Sequence, residues 1–89
     1  MPQVIVDPEY LEKFAVILRN FNTQLEQDFS SLRKQVEALG DTWLDQEYIK
    51  FHEEFMSLAI QINKFLPGSA DMVPYLQKKA AWLREYLKG

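Results

Sequence analysis

Residues 39–48 of the chain are Leu39-Gly40-Asp41-Thr42-Trp43-Leu44-Asp45-Gln46-Glu47-Tyr48. They separate two long stretches in which apolar residues recur every three or four positions, the spacing of amphipathic helices. Gly40 predicts the end of the first helix. Asp41, Thr42 and Asp45 can each accept unpaired backbone N–H groups, so the second helix is predicted to begin within these positions. Trp43 lies between them and is expected to wedge between the two helices. The segment therefore predicts an antiparallel helical hairpin with its turn at residues 40–44.

The first arm of this hairpin is predicted to be a helix over residues 7–39. Asp7-Pro8 is a strong helix start, since Asp caps a helix and proline is tolerated in its first turn. Residues 1–6 are rich in β-branched side chains and are expected to form an extended arm. A helix of this length spans about 45 Å and needs an equally long partner. Its apolar stripe consists of Leu11, Phe14, Leu18, Phe21, Leu25, Phe29, Leu32, Val36 and Leu39.

The second arm is predicted to be a helix over residues 45–66 followed by a kink or break. Pro67-Gly68-Ser69 interrupts the pattern, because proline lacks the N–H that a helix needs. A further apolar stripe follows, so residues 71–87 form either a third helix or a continuation of the second arm. The apolar seam that should face the first arm is Leu44, Tyr48, Phe51, Phe55, Leu58, Ile62 and Phe65.

A flank of the second helix is more apolar than a solvated face should be, and it consists of Ile49, Met56 and Ile60. These residues could be the edge of one core or the interface of a dimer. A chain of 89 residues makes a poor core from two helices alone. We therefore expect the flank to be a dimer interface and the fold to be an all-α hairpin that pairs as a four-helix bundle.

No catalytic, cofactor-binding or metal-binding motif is found in the sequence. The chain has no Cys and a single histidine, His52, and Met56 stands where a zinc-protease helix needs its second histidine. The net charge of −3 argues against a nucleic-acid partner. No apolar run is long enough for a membrane span, and no cleavable signal peptide is indicated. The sequence thus predicts a non-enzymatic cytoplasmic protein that needs no cofactor.

The arms, the turn with Trp43 and the aromatic residues after it together resemble the WXG superfamily, the small ESAT-like hairpin proteins of type VII secretion. The resemblance covers roughly residues 7–86. It implies a homodimer or a heterodimer with a related hairpin, export without a cleaved signal, and a role as secreted effector, adaptor or escort for a larger secreted protein. The family's glycine two residues after the tryptophan is Asp45 here, and its tyrosine-based export signal has no clear equivalent. The alternative is a cytoplasmic structural or regulatory helical subunit with no secretion role.

Overall fold

The protein is an antiparallel pair of long helices. The structure is a computed structural model that describes residues 6–88. Helix α1 is Pro8–Leu39 with 32 residues, helix α2 is Gln46–Lys88 with 43 residues, and residues 6–88 contain no strand. The pair forms a rod of 67 × 20 × 16 Å. The predicted all-α helical hairpin is confirmed, whereas residues 1–5 of the predicted extended arm lie outside the described residues.

Helix α1 begins at a capped proline. The Asp7 backbone is extended, and its carboxylate accepts the Glu9 N–H at 2.9 Å. Pro8 follows in the first helical position, where its missing N–H would have had no helical partner. The helix then ends without a left-handed residue, since Gly40 has φ −62° and ψ −19°. The reason for a glycine at this position is therefore not the positive φ on which the sequence prediction relied.

Helix α2 continues through Pro67 and Pro74, so of the predicted kink or break the structure has no break at residues 67–70. Of the two alternatives for residues 71–87, the structure has the continuation of the second arm. A proline inside a helix costs about 3 kcal/mol because it removes a backbone hydrogen bond and crowds the preceding turn. Packing offsets this cost, because Ser69 and Val73 remain buried between the prolines. Tertiary contact with α1 thus overrides a local helix-breaking signal.

Small residues bring the two helices together. Ala15 of α1 and Ala59 and Ala80 of α2 are at most 2 % exposed, whereas the larger Leu58 and Phe65 are 53 % and 46 % exposed. The predicted seam, which contained Leu58 and Phe65, is therefore corrected. In α2 the observed seam repeats every seven residues and passes mainly through small and medium side chains. Short side chains allow close approach of the helix axes, so the bulky neighbours project to the sides. The seam of α2 is Phe55, Ala59, Ile62, Leu66, Ser69, Val73, Leu76, Ala80 and Leu83.

Candidate protein-interaction site

The tip of the hairpin is held by Asp45, one of the residues predicted for the turn. Its Oδ1 accepts the Glu47 backbone N–H at 2.9 Å, which caps the start of α2. The same oxygen accepts the indole N–H of Trp43, also at 2.9 Å. One carboxylate therefore starts the second helix and orients the tryptophan. A glycine at this position could make neither contact.

Trp43 begins a series of aromatic contacts that enters the hairpin. Its half-buried ring lies 5.6 Å from both the Tyr48 and Phe51 rings. Phe51 is 6.5 Å from Phe55, and Phe55 stacks on Phe29 of α1 at 5.2 Å with nearly parallel planes. Offset aromatic pairs at such distances stabilise a fold beyond their buried area. This series links the tip to both helices through Phe55 and Phe29. Both rings beside Trp43 belong to α2, so a Trp43 wedge between the helices stays a prediction.

The Tyr48 side chain packs closely against Gly40. The Tyr48 hydroxyl donates to the Val36 carbonyl at 2.8 Å, while the Gly40 N–H bonds to the Glu37 carbonyl instead of continuing the α-helical pattern. A Cβ on Gly40 would lie only 3.0 Å from the Tyr48 hydroxyl oxygen. Burial, and to a smaller extent the charges of Glu37 and Asp41, raises the pKa of the Tyr48 hydroxyl. The neutral hydroxyl is therefore retained as the donor that closes the end of α1.

Polar contacts between the helices occur near both ends of the rod. Near the tip, His52 Nε2 and Glu37 Oε1 are 2.7 Å apart, so the single histidine has an interhelical partner that its sequence context does not reveal. At the open end, the Arg84 guanidinium donates to both carboxylate oxygens of Glu12. The hydrogen bond and the positive charge of Arg84 lower the pKa of the Glu12 carboxyl, against a smaller opposing effect of burial. These contacts align the two arms but form no catalytic arrangement.

One side of the hairpin carries exposed apolar side chains from both helices, and we call it the broad apolar face. The Phe21 and Phe65 rings meet edge to face at 6.5 Å and place the two stripes on the same side. Nearer the tip, a groove of about 690 Å³ opens on this side between the Leu32 and Leu39 region of α1 and Leu58 of α2. The face consists of Tyr10, Phe14, Ile17, Phe21, Leu32 and Leu39 of α1 and Phe51, Leu58, Phe65, Met72 and Tyr86 of α2.

The three predicted interface residues lie on the other side of α2. Phe55 faces α1, and at 100° per residue Met56 is turned to one side of it while Leu58 is turned to the other. Ile49 and Ile60 share the side of Met56; both are exposed, and Met56 is half-buried. The prediction that this flank forms a dimer interface is not tested by a single chain. Sequence reasoning missed the broad apolar face because it assigned Phe51, Leu58 and Phe65 to the internal seam.

Residues 6–88 contain neither a candidate metal-binding cluster nor a candidate membrane span. They hold no group of three or more His, Asp or Glu side chains arranged to bind a metal ion. Neither helix contains an apolar run of the length and low charge that a membrane crossing needs. The described surface has a fixed tip and a long exposed apolar side.

The class of protein defined by this fold is thus a small helical hairpin whose surface is suited to other proteins. The chain belongs to the WXG100 family, described as proteins of 100 residues with WXG, whose pattern matches residues 3–86. This family consists of non-enzymatic helical proteins linked to type VII secretion, and its members typically pair as dimers. Comparison with curated proteins and with solved structures gives no significant match.

Proposed function

We propose that the hairpin pairs with a second copy, or with a related hairpin, through the broad apolar face, and that the pair is an adaptor or escort in a type VII-like secretion system. The observation that carries this proposal is the exposure of large apolar side chains. Nineteen are exposed in the described chain, whereas the core holds seven buried hydrophobic residues, three of them alanines. A monomer would leave all nineteen of these side chains exposed to water.

The size of the broad apolar face fits a stable dimer. A stable interface buries roughly 800 Å² on each partner. The hairpin is 67 Å long and 20 Å wide, so one side of it offers more than this area even if the rims stay solvated. The apolar residues are spaced along both helices from Tyr10 to Leu39 and from Phe51 to Tyr86. Two such sides can therefore pack along their full length as a four-helix bundle.

Charge favours an antiparallel arrangement of two copies. Residues 37–54 at the tip contain six acids and one lysine, a net charge of −5 with His52 neutral. At the open end, residues 75–88 contain four bases and one acid and residues 7–13 contain three acids and one base, so the two segments together carry a net charge of +1. Antiparallel packing brings the tip of each hairpin beside the C-terminal part of the partner's α2. Opposite charges then meet at both ends, which steers association and disfavours the parallel alternative.

A matched pair of substitutions distinguishes the broad apolar face from the predicted flank. Leu58→Glu places a charge on the broad face, and Ile60→Glu places one on the Ile49, Met56 and Ile60 flank; the two side chains are 53 % and 56 % exposed. Light scattering should give twice the 10.5 kDa chain mass for the wild type and for Ile60→Glu, and the chain mass for Leu58→Glu. The reverse pattern would assign the interface to the flank, and a monomeric wild type would contradict pairing with a second copy.

The secretion role is supported by family membership and needs its own test. The protein should appear in the culture medium of its native host and be absent from the medium when the type VII ATPase is deleted. An adaptor or escort should also co-purify with a larger secreted protein, whereas an effector should be exported without one. If the protein stays inside the cells in both strains, the alternative of a cytoplasmic structural or regulatory subunit is favoured.

A further inference from the structure

Gly68 lies inside helix α2, exposed on the side of the broad apolar face. It follows Phe65 by three residues and precedes Met72 by four, and residues at these spacings are neighbours on one side of a helix. Apart from its own turn of α2, a Cβ added at Gly68 would meet no atom of residues 6–88 within 4 Å. Only proline is less favourable than glycine inside a helix. Gly68 therefore weakens α2 at a position where a side chain has room.

The two prolines of α2 do not account for this glycine. A helical proline crowds the carbonyl four residues before it, so Pro67 and Pro74 disturb the turns that begin at residues 63 and 70. Gly68 lies between these two turns. Its φ is also outside the left-handed region that favours glycine. The remaining use of a glycine is the close approach of another backbone, which a Cβ would prevent.

Antiparallel pairing of two copies brings a second α2 helix to this position. A two-fold axis that reverses the rods and joins their broad apolar faces crosses the rods at mid-length, and it places each helix on the same helix of the second copy. Helix α2 runs nearly the whole length of the 67 Å rod, since its 43 residues rise about 64 Å. Residue 67 is the midpoint of Gln46–Lys88. Gly68 is thus only about 1.5 Å from the axis along α2, where the two α2 helices cross.

We propose that the α2 helices of a homodimer cross at Gly68, and that Glu54 of each copy forms an ion pair with Lys79 of the other. This inference rests on the proposed dimer and adds its register, the identity of the helices that touch, and the charged residues that select this arrangement. The occupant of the α2 side of the broad apolar face is accordingly α2 of a second copy of this chain.

Glu54 and Lys79 are placed for a contact between copies. Both side chains are exposed and share the side of the broad apolar face, since Glu54 follows Phe51 by three residues and Lys79 precedes Tyr86 by seven. They lie 13 residues before and 12 residues after the midpoint of α2. Antiparallel α2 helices centred there bring Glu54 of one copy within about 1.5 Å of Lys79 of the other along the helix axis. Within one chain the two residues are roughly 38 Å apart along α2 and cannot meet.

The charges along α2 favour the same register. Residues 46–59 contain three acids and one lysine, a net charge of −2 with His52 neutral, whereas residues 75–88 contain four bases and one acid, a net charge of +3. Antiparallel α2 helices centred at residue 67 place each of these segments exactly opposite the other segment of the second copy. A parallel pair would instead place α2 on α1, and neither the Gly68 crossing nor the ion pair would form.

The first test is a charge swap in the full chain, with the dimer dissociation constant measured by sedimentation equilibrium. Glu54→Lys and Lys79→Glu should each weaken the dimer about tenfold, because each replaces two attractive contacts with two repulsive ones. The double variant should restore the affinity to within about twofold of the wild type. Glu53→Lys is the matched control: Glu53 is exposed, and it lies seven residues before Ile60 on the other side of α2. It should leave the affinity unchanged.

The second test is Gly68→Ala, which should have opposite effects on the hairpin and on the dimer. In the monomeric Leu58→Glu variant it should raise the urea midpoint by about 0.5 M, because alanine favours the helix. In the otherwise wild-type chain it should weaken the dimer about tenfold, because each added methyl group lies in the crossing. A higher midpoint also shows that the Gly68→Ala hairpin is folded, so its weaker association cannot come from unfolding.

Failure of this register can be distinguished from failure of the proposed dimer. A dimeric wild type whose double charge variant stays as weak as the single variants would overturn the ion pair. Unchanged dimer affinity for Gly68→Ala would overturn the crossing, and in both cases the dimer itself would stand. A dimer weakened by Glu53→Lys but not by Glu54→Lys would move the contact to the other side of α2. A monomeric wild type would contradict the proposed dimer and the register together.

Discussion

Replacing Trp43 with alanine tests whether the tip is a structural clamp or an exposed contact for a partner. A fully buried Trp→Ala change costs about 3–5 kcal/mol. The Trp43 ring is half-buried, with Tyr48 and Phe51 each at 5.6 Å. We therefore expect the free energy of unfolding to fall by about 2 kcal/mol, which includes loss of the aromatic contacts and of the indole bond to Asp45. For a domain of this size, that change lowers Tm by roughly 8–16 °C.

The assay is urea and thermal unfolding followed by circular dichroism at 222 nm. An m-value of about 2 kcal/mol/M converts the expected loss into a urea midpoint about 1 M lower. Trp82→Ala is the matched control, because Trp82 is 56 % exposed and its ring interacts with Tyr86 at 5.5 Å and Lys79 at 4.9 Å, both on its own helix. All samples need one protein concentration, since association raises apparent stability. Equal midpoints for the Trp43 and Trp82 variants would refute the clamp.

Three further substitutions test individual contacts. Tyr48→Phe should lower the free energy of unfolding by about 1 kcal/mol because it removes the donor to the Val36 carbonyl, and Tyr75→Phe, whose side chain is exposed, should have no effect in the same urea titration. Asp45→Ala should cost about 1 kcal/mol through the lost cap and should also shift the Trp43 indole N–H signal in NMR; an unshifted signal would argue against the Trp43–Asp45 bond. Glu12→Gln should lower the urea midpoint at pH 7. The folded-state pKa of Glu12 is lowered from 4.5, so its contribution is complete above 4.5 and is lost as pH falls through the folded pKa. The midpoints of variant and wild type should therefore converge at pH values below the folded pKa, and a constant difference would contradict the ion pair.

The assignment of the seam shows where sequence patterns mislead. Phe51, Leu58 and Phe65 repeat with a heptad spacing and were expected between the arms, but the structure buries Ala59 and leaves Leu58 and Phe65 about half exposed. The larger apolar side chains are less buried than the small ones here, because close helix packing favours small side chains along the line where the two helices touch. The repeat of Ala59, Leu66, Val73 and Ala80 is the signal that could have identified the seam.

The sequence alone determined the features that depend on local chemistry. Helix periodicity, the Asp7-Pro8 start and the capping residue Asp45 are properties of short segments, so they predicted two helices, their turn and the family resemblance. Tertiary structure decided three other features: the continuity of α2 through Pro67 and Pro74, the side of each helix that faces the other, and the close packing of Tyr48 against Gly40. Each of these depends on contacts between residues far apart in the chain, whose packing energy outweighs a local preference of about 3 kcal/mol or less.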